Sequence, residues 1–351
     1  MRLRIRHVVQ HIRCCYLDGT RLWGANGYNI LTSDDQGETW RKFSSIPVPA
    51  WKRFSVQHPV LRRLFRQGVH AVVPCQDGSI LAIVDKEIYR CEGVERAFIP
   101  VHRFRRGRRP LLQGWCLTHT GDFLYGEYFY NTEREQVLLW RSSDFGLSWE
   151  VVYRFPPNSV RHIHSVQEDP YTGDIWVSTG DEDRECLVMR FSSCFKEYTI
   201  VGQGSQDWRL VSLIFGPEYV YWGTDAPQQT NKLIRWSRKT RVAEVVAQVN
   251  GPVYYSQQTR EGVMLFGTSV EGGRGEIDNR AWIWGSVDGM IWEPLWKTQK
   301  DRWNNTLFGH GVLLFVRSSQ PLPRDSIWVT GQALREFDNI SVCFSLSSEG
   351  I

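Results

Sequence analysis

Seven times along the chain a short turn gives way to a run of apolar residues that stops on a small or polar one. Asp77-Gly-Ser-Ile-Leu-Ala-Ile-Val-Asp85 and Thr172-Gly-Asp-Ile-Trp-Val-Ser-Thr-Gly-Asp181 show the pattern plainly; the other copies start at Asp18, Gly121, Gly216, Glu261 and Gly309. Glycine takes the positive-φ position of a tight turn, and the apolar run that follows has the length of a strand. Each copy is expected to be the turn between the first and second strands of one antiparallel unit. Repetition at roughly 50 residues predicts a radial architecture. The expected fold is therefore all-β: one β-propeller domain of four-stranded blades over residues 1–351, with seven blades and six as the rival count. The alternation Leu3-Arg-Ile-Arg-His-Val-Val9 is expected to complete the last blade beside Asp325–Thr330 or Ile340–Phe344, so that no sheet edge stays open.

Residues 44–66 break this rhythm with Pro47, Pro49 and Pro59. Within them Val60, Leu61, Leu64 and Phe65 share one helical face, and Arg62, Arg63 and Arg66 lie outside it. The spacing predicts a short basic amphipathic helix that either caps the ring or makes peripheral contact with a membrane.

A second repeat is more specific. The pattern S-x-D-x-G-x-[ST]-W occurs at Ser33–Trp40 and Ser142–Trp149, with a shortened copy at Ser286–Trp292. In a hairpin the Asp accepts backbone N–H bonds across the turn and the Trp pins the returning strand. The copies start 109 and 144 residues apart, which divides into two and three blades of roughly 50 residues. They are expected between the third and fourth strands of blades one, three and six, with Asp35 and Asp144 as turn residues. This motif resembles the Asp-box, or bacterial neuraminidase repeat, of the sialidase-like β-propellers. The resemblance implies the propeller fold and a glycosidase or polysaccharide lyase activity in a central funnel, His and Tyr serving as proton carriers in the lyases. Sialidases also carry an Arg-Ile-Pro motif near the N-terminus, whereas Arg4-Ile-Arg6 has no Pro and Leu322-Pro-Arg324 lies at the other end of the chain. The chain is thus not a typical sialidase.

In a propeller, the starts of first strands and the ends of second strands converge on one face. That geometry gathers a polar and aromatic set. His162, His164, Glu127, Asp225 and Tyr254 are the catalytic candidates, as base, acid and nucleophile types. His70, Trp115, Asp181, Arg209 and Tyr128 are the substrate-binding candidates. His162 and His164 stand two apart on a strand and face the same side, so both imidazoles could reach one substrate or one divalent metal, or they could be two hydrogen-bonded channel histidines. A metal would need a third ligand from His70, Glu127 or Asp225, and no cofactor is assigned. Glu127 and Asp225 form a candidate carboxylate pair for glycoside hydrolysis.

Charge adds a partner. Between Arg41 and Arg109 there are 15 Lys/Arg against five Asp/Glu, while the whole chain carries a net charge of only +4. Such a sector invites an anionic partner, here an acidic oligo- or polysaccharide, or it is a solvated basic face. The alternative function is a non-catalytic scaffold that docks through 41–109 on a polyanion or a membrane-associated partner. No specific nucleic-acid partner is expected. The eight cysteines are scattered without a C-x-x-C pair and read as buried thiols. No signal-peptide core or membrane span is evident, so a cytoplasmic location is expected. G-x-S-x-G, phosphate-loop, H-E-x-x-H and strand-linked G-x-G-x-x-G motifs are absent, which removes serine hydrolases, nucleotide hydrolases and dinucleotide oxidoreductases.

Overall fold

In a computed structural model, which describes residues 1–93 and 97–347, the chain forms seven four-stranded antiparallel blades around a central axis. Blade one comprises Arg13–Asp18, Arg21–Asn26, Asn29–Ser33 and Arg41–Ser45; blade four comprises His162–Glu168, Ile175–Gly180, Leu187–Phe191 and Tyr198–Gln203. Blades two, three, five and six occupy 69–103, 115–155, 210–249 and 253–299. Blade seven takes Val312–Phe315, Ile327–Gln332 and Ile340–Ser347 from the C-terminal end, and Arg2–Gln10 as its outermost strand. Arg2 pairs with Ser347 and Gln10 with Ile340, so the N-terminal strand closes the ring.

The innermost strands read as continuous apolar runs because both faces are covered: Leu210–Phe215 is buried at every position. Outer strands such as Tyr198–Gln203 are largely exposed. The core lies between blades. One layer, for example, sets Leu81 and Ile83 of blade two against Trp115, Phe123 and Tyr125 of blade three. The small residues that end the second strands have a steric cause. A Cβ on Gly126 would lie 2.3 Å from Ile163 Cγ2, so the next blade's first strand can approach only a glycine.

The three Ser-x-Asp hairpins join third to fourth strands in blades one, three and six, as the spacing predicts. Ser142 Oγ donates to Asp144 Oδ1 at 2.8 Å and accepts from Gly146 N at 2.7 Å, while Trp149 Nε1 donates to Gly146 O at 3.0 Å.

Two expectations change. The unit at Gly309 is the first strand of blade seven and not a first-to-second-strand turn; the following connection runs through Pro321 and Pro323, with Arg317–Ser318 paired in parallel to Tyr16–Leu17. The insertion holds two short helices, Ala50–Ser55 and Pro59–Leu64, and the predicted faces hold only in part, with Val60 and Leu61 half-buried and Arg66 exposed. Leu64 and Phe65 are exposed, while Arg62 and Arg63 turn inward to Asp338 and Asp301. Two available carboxylates outweigh the apolar face, and the insertion is tied down over the ring. No helix among the described residues is long and apolar enough to cross a membrane.

Candidate functional site

A cavity of about 640 Å³ opens on the face predicted from strand direction. Its wall is made by first-strand starts, including Arg13, His70, His162, Tyr254 and Tyr255, and by Tyr128 and Asp181 just beyond second strands. Arg62, Arg63 and Arg66 of the insertion and Phe308 and His310 before blade seven narrow its mouth.

On the blade-four wall, His162 Nε2 lies 3.0 Å from His164 Nε2. Two lone pairs cannot face each other at that distance, so a proton lies between them. His162 Nδ1 is 3.0 Å from Phe129 O, an acceptor, and must carry a hydrogen. In the neutral pair His164 therefore donates from Nε2, and His162 presents the Nε2 lone pair. Tyr128 lies over His162 with ring centroids 4.2 Å apart. Gly180 makes room for the arrangement, since a Cβ there would be 2.8 Å from His164 Cε1 and 3.0 Å from Arg209 Cγ.

Asp181 joins the pair through Oδ1, at 3.5 Å from His162 Nε2 and 3.3 Å from His164 Nε2. Arg161 donates to its Oδ2 at 2.8 Å, and Arg209 Nη2 is 3.1 Å from Oδ1. Burial opposes ionisation of Asp181, but its contacts with the two imidazoles prevail and hold its carboxyl far below the usual range. Asp225 sits behind it, 3.3 Å from Arg209 Nε and 3.9 Å from His164 Nδ1. Burial raises Asp225 to about 7 against the attraction of Arg209. The two carboxyl groups are thus driven apart in acidity, Asp181 always ionised and Asp225 half protonated near neutrality. Burial lowers the pKa of His164, which keeps it neutral. Burial also raises Tyr254 well above 10, and its hydroxyl bonds Glu271. The ligand atoms of His162, His164 and Asp181 lie within 4.8 Å of one another, so these three could hold a divalent ion. Both oxygens of Asp181 are already in contact with guanidinium groups.

The structure therefore brings together His162, His164, Asp181, Asp225, Arg209 and Tyr128, with Tyr254 and His70 on the same cavity. Glu127 and Trp115 are elsewhere. Glu127 is buried in blade three, where Arg105 grips it with two bonds of 2.8 Å and Leu138 N donates to it at 3.0 Å. It does not approach Asp225 as a carboxylate pair. Trp115 is fully buried, stacked on Phe123 at 5.5 Å with Arg317 4.1 Å from its ring centroid. Strand position alone puts both in the funnel; Trp115 instead packs between blades two and three, and Glu127 is bonded within blade three. Residues missed in the sequence include Arg13, Arg66, Arg109, Arg161 and Glu271. Arg13 starts the first strand of blade one, so the rule that selected His70 would have found it. Arg66 and Arg109 come from connections, where no periodicity points inward.

The basic sector is mostly paired within the protein. Lys52 and Arg108 both bind Asp85, Arg105 binds Glu127, Arg106 binds Glu135 and Arg90 binds Asp77. Glu95 and Arg96 of this sector lie outside the described residues.

No known protein family and no curated protein matches the sequence. Solved structures do match in shape. The extracellular domain of BT4673 from B. thetaiotaomicron aligns over 97% of this chain at 11% identity and a TM-score of 0.57, and the chain spans 39% of its length. The GH74 xyloglucanase from Xanthomonas campestris aligns over 93% at 15% identity and a TM-score of 0.57, with 53% of that chain covered. An oligogalacturonate lyase, solved in complex with manganese, aligns over 96% at 9% identity and a TM-score of 0.58, with 90% of that chain covered. At such identities the likeness shows the propeller fold alone.

Proposed function

We propose that this chain is a carbohydrate-active propeller that cleaves an acidic polysaccharide or oligosaccharide by elimination. The observation that carries the reading is the hydrogen-bonded imidazole pair of His162 and His164 on the wall of a cavity rich in arginine. In this reaction a base removes the proton on the carbon next to a uronate carboxylate. The electron pair forms a C=C bond, the glycosidic C–O bond breaks, and an acid protonates the leaving oxygen. His162 is the base once its Nε2 exchanges the hydrogen bond from His164 for the substrate proton, His164 then turning its N–H to Asp181 Oδ1, and the permanently ionised Asp181 stabilises the imidazolium that forms. Tyr254, kept protonated, is the acid. His164 and Arg209 orient the base and Asp181, and Tyr128 and His70 line the bound sugar.

Hydrolysis is the weaker version. It needs two carboxyl groups facing the substrate, and among the described residues Asp225 stands behind Asp181 and Glu127 is locked to Arg105. Two structural neighbours bear the names of a xyloglucanase and an oligogalacturonate lyase, which supports carbohydrate chemistry in general. The three hairpins support kinship with the Asp-box propellers. Eight unbridged cysteines, all buried except the exposed Cys194, support a cytoplasmic site of action. Internal pairing of the 41–109 cations weighs against a scaffold that docks through them.

The test is turnover on polyuronates and on neutral glucans, read by ultraviolet absorbance of the unsaturated product and by new reducing ends. Absorbance that appears on polyuronates and disappears in His162→Ala is expected. Reducing ends without absorbance would convert the reading to hydrolysis, and turnover on none of the substrates would overturn it.

A further inference from the structure

Among the described residues, seven arginines and two aspartates line the cavity, and no glutamate does. The aspartates are taken: Asp181 by Arg161 and Arg209, Asp338 by Arg62. Arg63 and Arg108 find Asp301 and Asp85 outside the wall. Arg13, Arg66 and Arg109 are left over, and among the described residues none of the three meets a carboxylate. Arg13 and Arg109 are partly buried and Arg66 is exposed, and like charges gathered in one cavity repel each other, so the cluster favours an anion between them. Beside them His70 is about nine-tenths buried, with Nε2 lacking any partner.

We infer that Arg13, Arg66 and Arg109, with His70, form a clamp for the carboxylate of an acidic sugar, on the blade-one and blade-two side of the cavity. Guanidinium groups match a carboxylate's two oxygens in plane, and an anion there would balance the surplus charge. The field of this cluster is felt by its own members. Burial, reinforced by Arg108 and Arg13, lowers Arg109 to about 9, and burial with Arg109 and Arg13 keeps His70 neutral. The clamp also defines the substrate. In ring order blades one and two lie across the axis from blades four to six, so a sugar held by its carboxylate on one side is presented to His162 on the other. Neutralising that carboxylate favours loss of the proton next to it, the step assigned to His162. In naming a sugar as ligand the inference rests on the proposed elimination; the anion site itself does not.

Binding of a galacturonate trisaccharide to the full-length His162→Ala protein, measured by calorimetry, separates the two ideas because no turnover is needed. Arg109→Gln and Arg13→Gln, each added to that background, should weaken binding at least tenfold. Neither should lower the melting temperature of the free protein, since each removes a repelling charge. A neutral glucan trisaccharide should not compete, and inorganic sulfate should compete only weakly. Uronate binding unchanged in both arginine variants would overturn the clamp, as would equal binding of the neutral sugar. Sulfate binding without uronate binding would overturn the carboxylate assignment. If the uronate binds through Arg109 while the wild type cleaves no polysaccharide, the clamp stands and the elimination falls. If the wild type cleaves polyuronate and Arg109→Gln leaves KM unchanged, the clamp falls alone.

Discussion

His162 and His164 face each other with their Nε2 atoms 3.0 Å apart, and only His162 has its other nitrogen bonded to a backbone carbonyl. The two imidazoles are therefore not equivalent: His162 offers the lone pair and His164 donates to it. His162→Ala is expected to cut kcat by about 10²- to 10⁴-fold, the usual loss on removing a general base. His164→Ala removes only the orienting donor and should cost less, with KM unchanged. Because Asp181 already meets Arg161 and Arg209, activity is expected to survive dialysis against a chelator. Activity lost on chelation and restored by a divalent metal would assign a metal to His162, His164 and Asp181 instead.

Arg105 and Glu127 form a bidentate pair with both contacts at 2.8 Å, and Glu127 is 2% exposed. Glu127→Ala leaves Leu138 N without its acceptor and Arg105 without its carboxylate, with only the bond to Gln136 O remaining. A loss of about 1–3 kcal/mol is expected, visible as an earlier urea midpoint, with KM and kcat of the folded fraction unchanged. A selective loss of kcat without loss of stability would return Glu127 to the catalytic set.

The frame of the fold was legible in the sequence because it rests on local chemistry. Ser33, Ser142 and Ser286 each begin a hairpin whose bonds close within a few residues, and their spacing reports the blade length. His162, His164, Asp181 and Asp225 were also legible, since strand direction carries first-strand starts and second-strand ends to one face. Glu127 shows the limit of that rule. It ends a second strand like Asp181, but the side to which its carboxylate turns was decided by Arg105, 22 residues earlier in a connection. The insertion shows the same limit, because the helical pattern of Val60, Leu61, Leu64 and Phe65 was outweighed by Asp301 and Asp338, more than 200 residues away. Arg66 and Arg109 reach the cavity from connections of this kind, which no period describes.

Ser142→Ala tests the hairpin as a purely structural device. Ser142 is buried, and its hydroxyl both accepts from Gly146 N at 2.7 Å and donates to Asp144 at 2.8 Å. Alanine strands a buried N–H, which costs about 1–3 kcal/mol. Thermal unfolding should report that loss while kcat/KM stays at the wild-type value, since third-to-fourth-strand turns lie on the face opposite the cavity. A variant with normal stability and altered kcat/KM would contradict the assignment.

Asp225 gives the protein a pH dependence whose sign is opposite to that of an ordinary paired carboxylate. Its folded pKa is raised from 3.8 to about 7, chiefly by burial. Between those two values the unfolded chain has released this proton and the folded chain keeps it, so the contribution of Asp225 to stability falls as pH rises through that window. His164 acts the other way. Its folded pKa is lowered by burial, so its contribution falls as pH drops below the ordinary value of 6.5. The two partly cancel in the wild type, and Asp225→Asn separates them by mimicking the protonated acid at every pH. The stability of the variant relative to wild type is expected to climb from about pH 4 to about pH 7 and then level off, the whole change being on the order of a few kcal/mol. Differential scanning calorimetry across that range reads it directly. A difference that stays flat, or that falls with rising pH, would mean that Asp225 is ionised in the fold through its contact with Arg209, and that Asp181 and Asp225 are not driven apart in acidity.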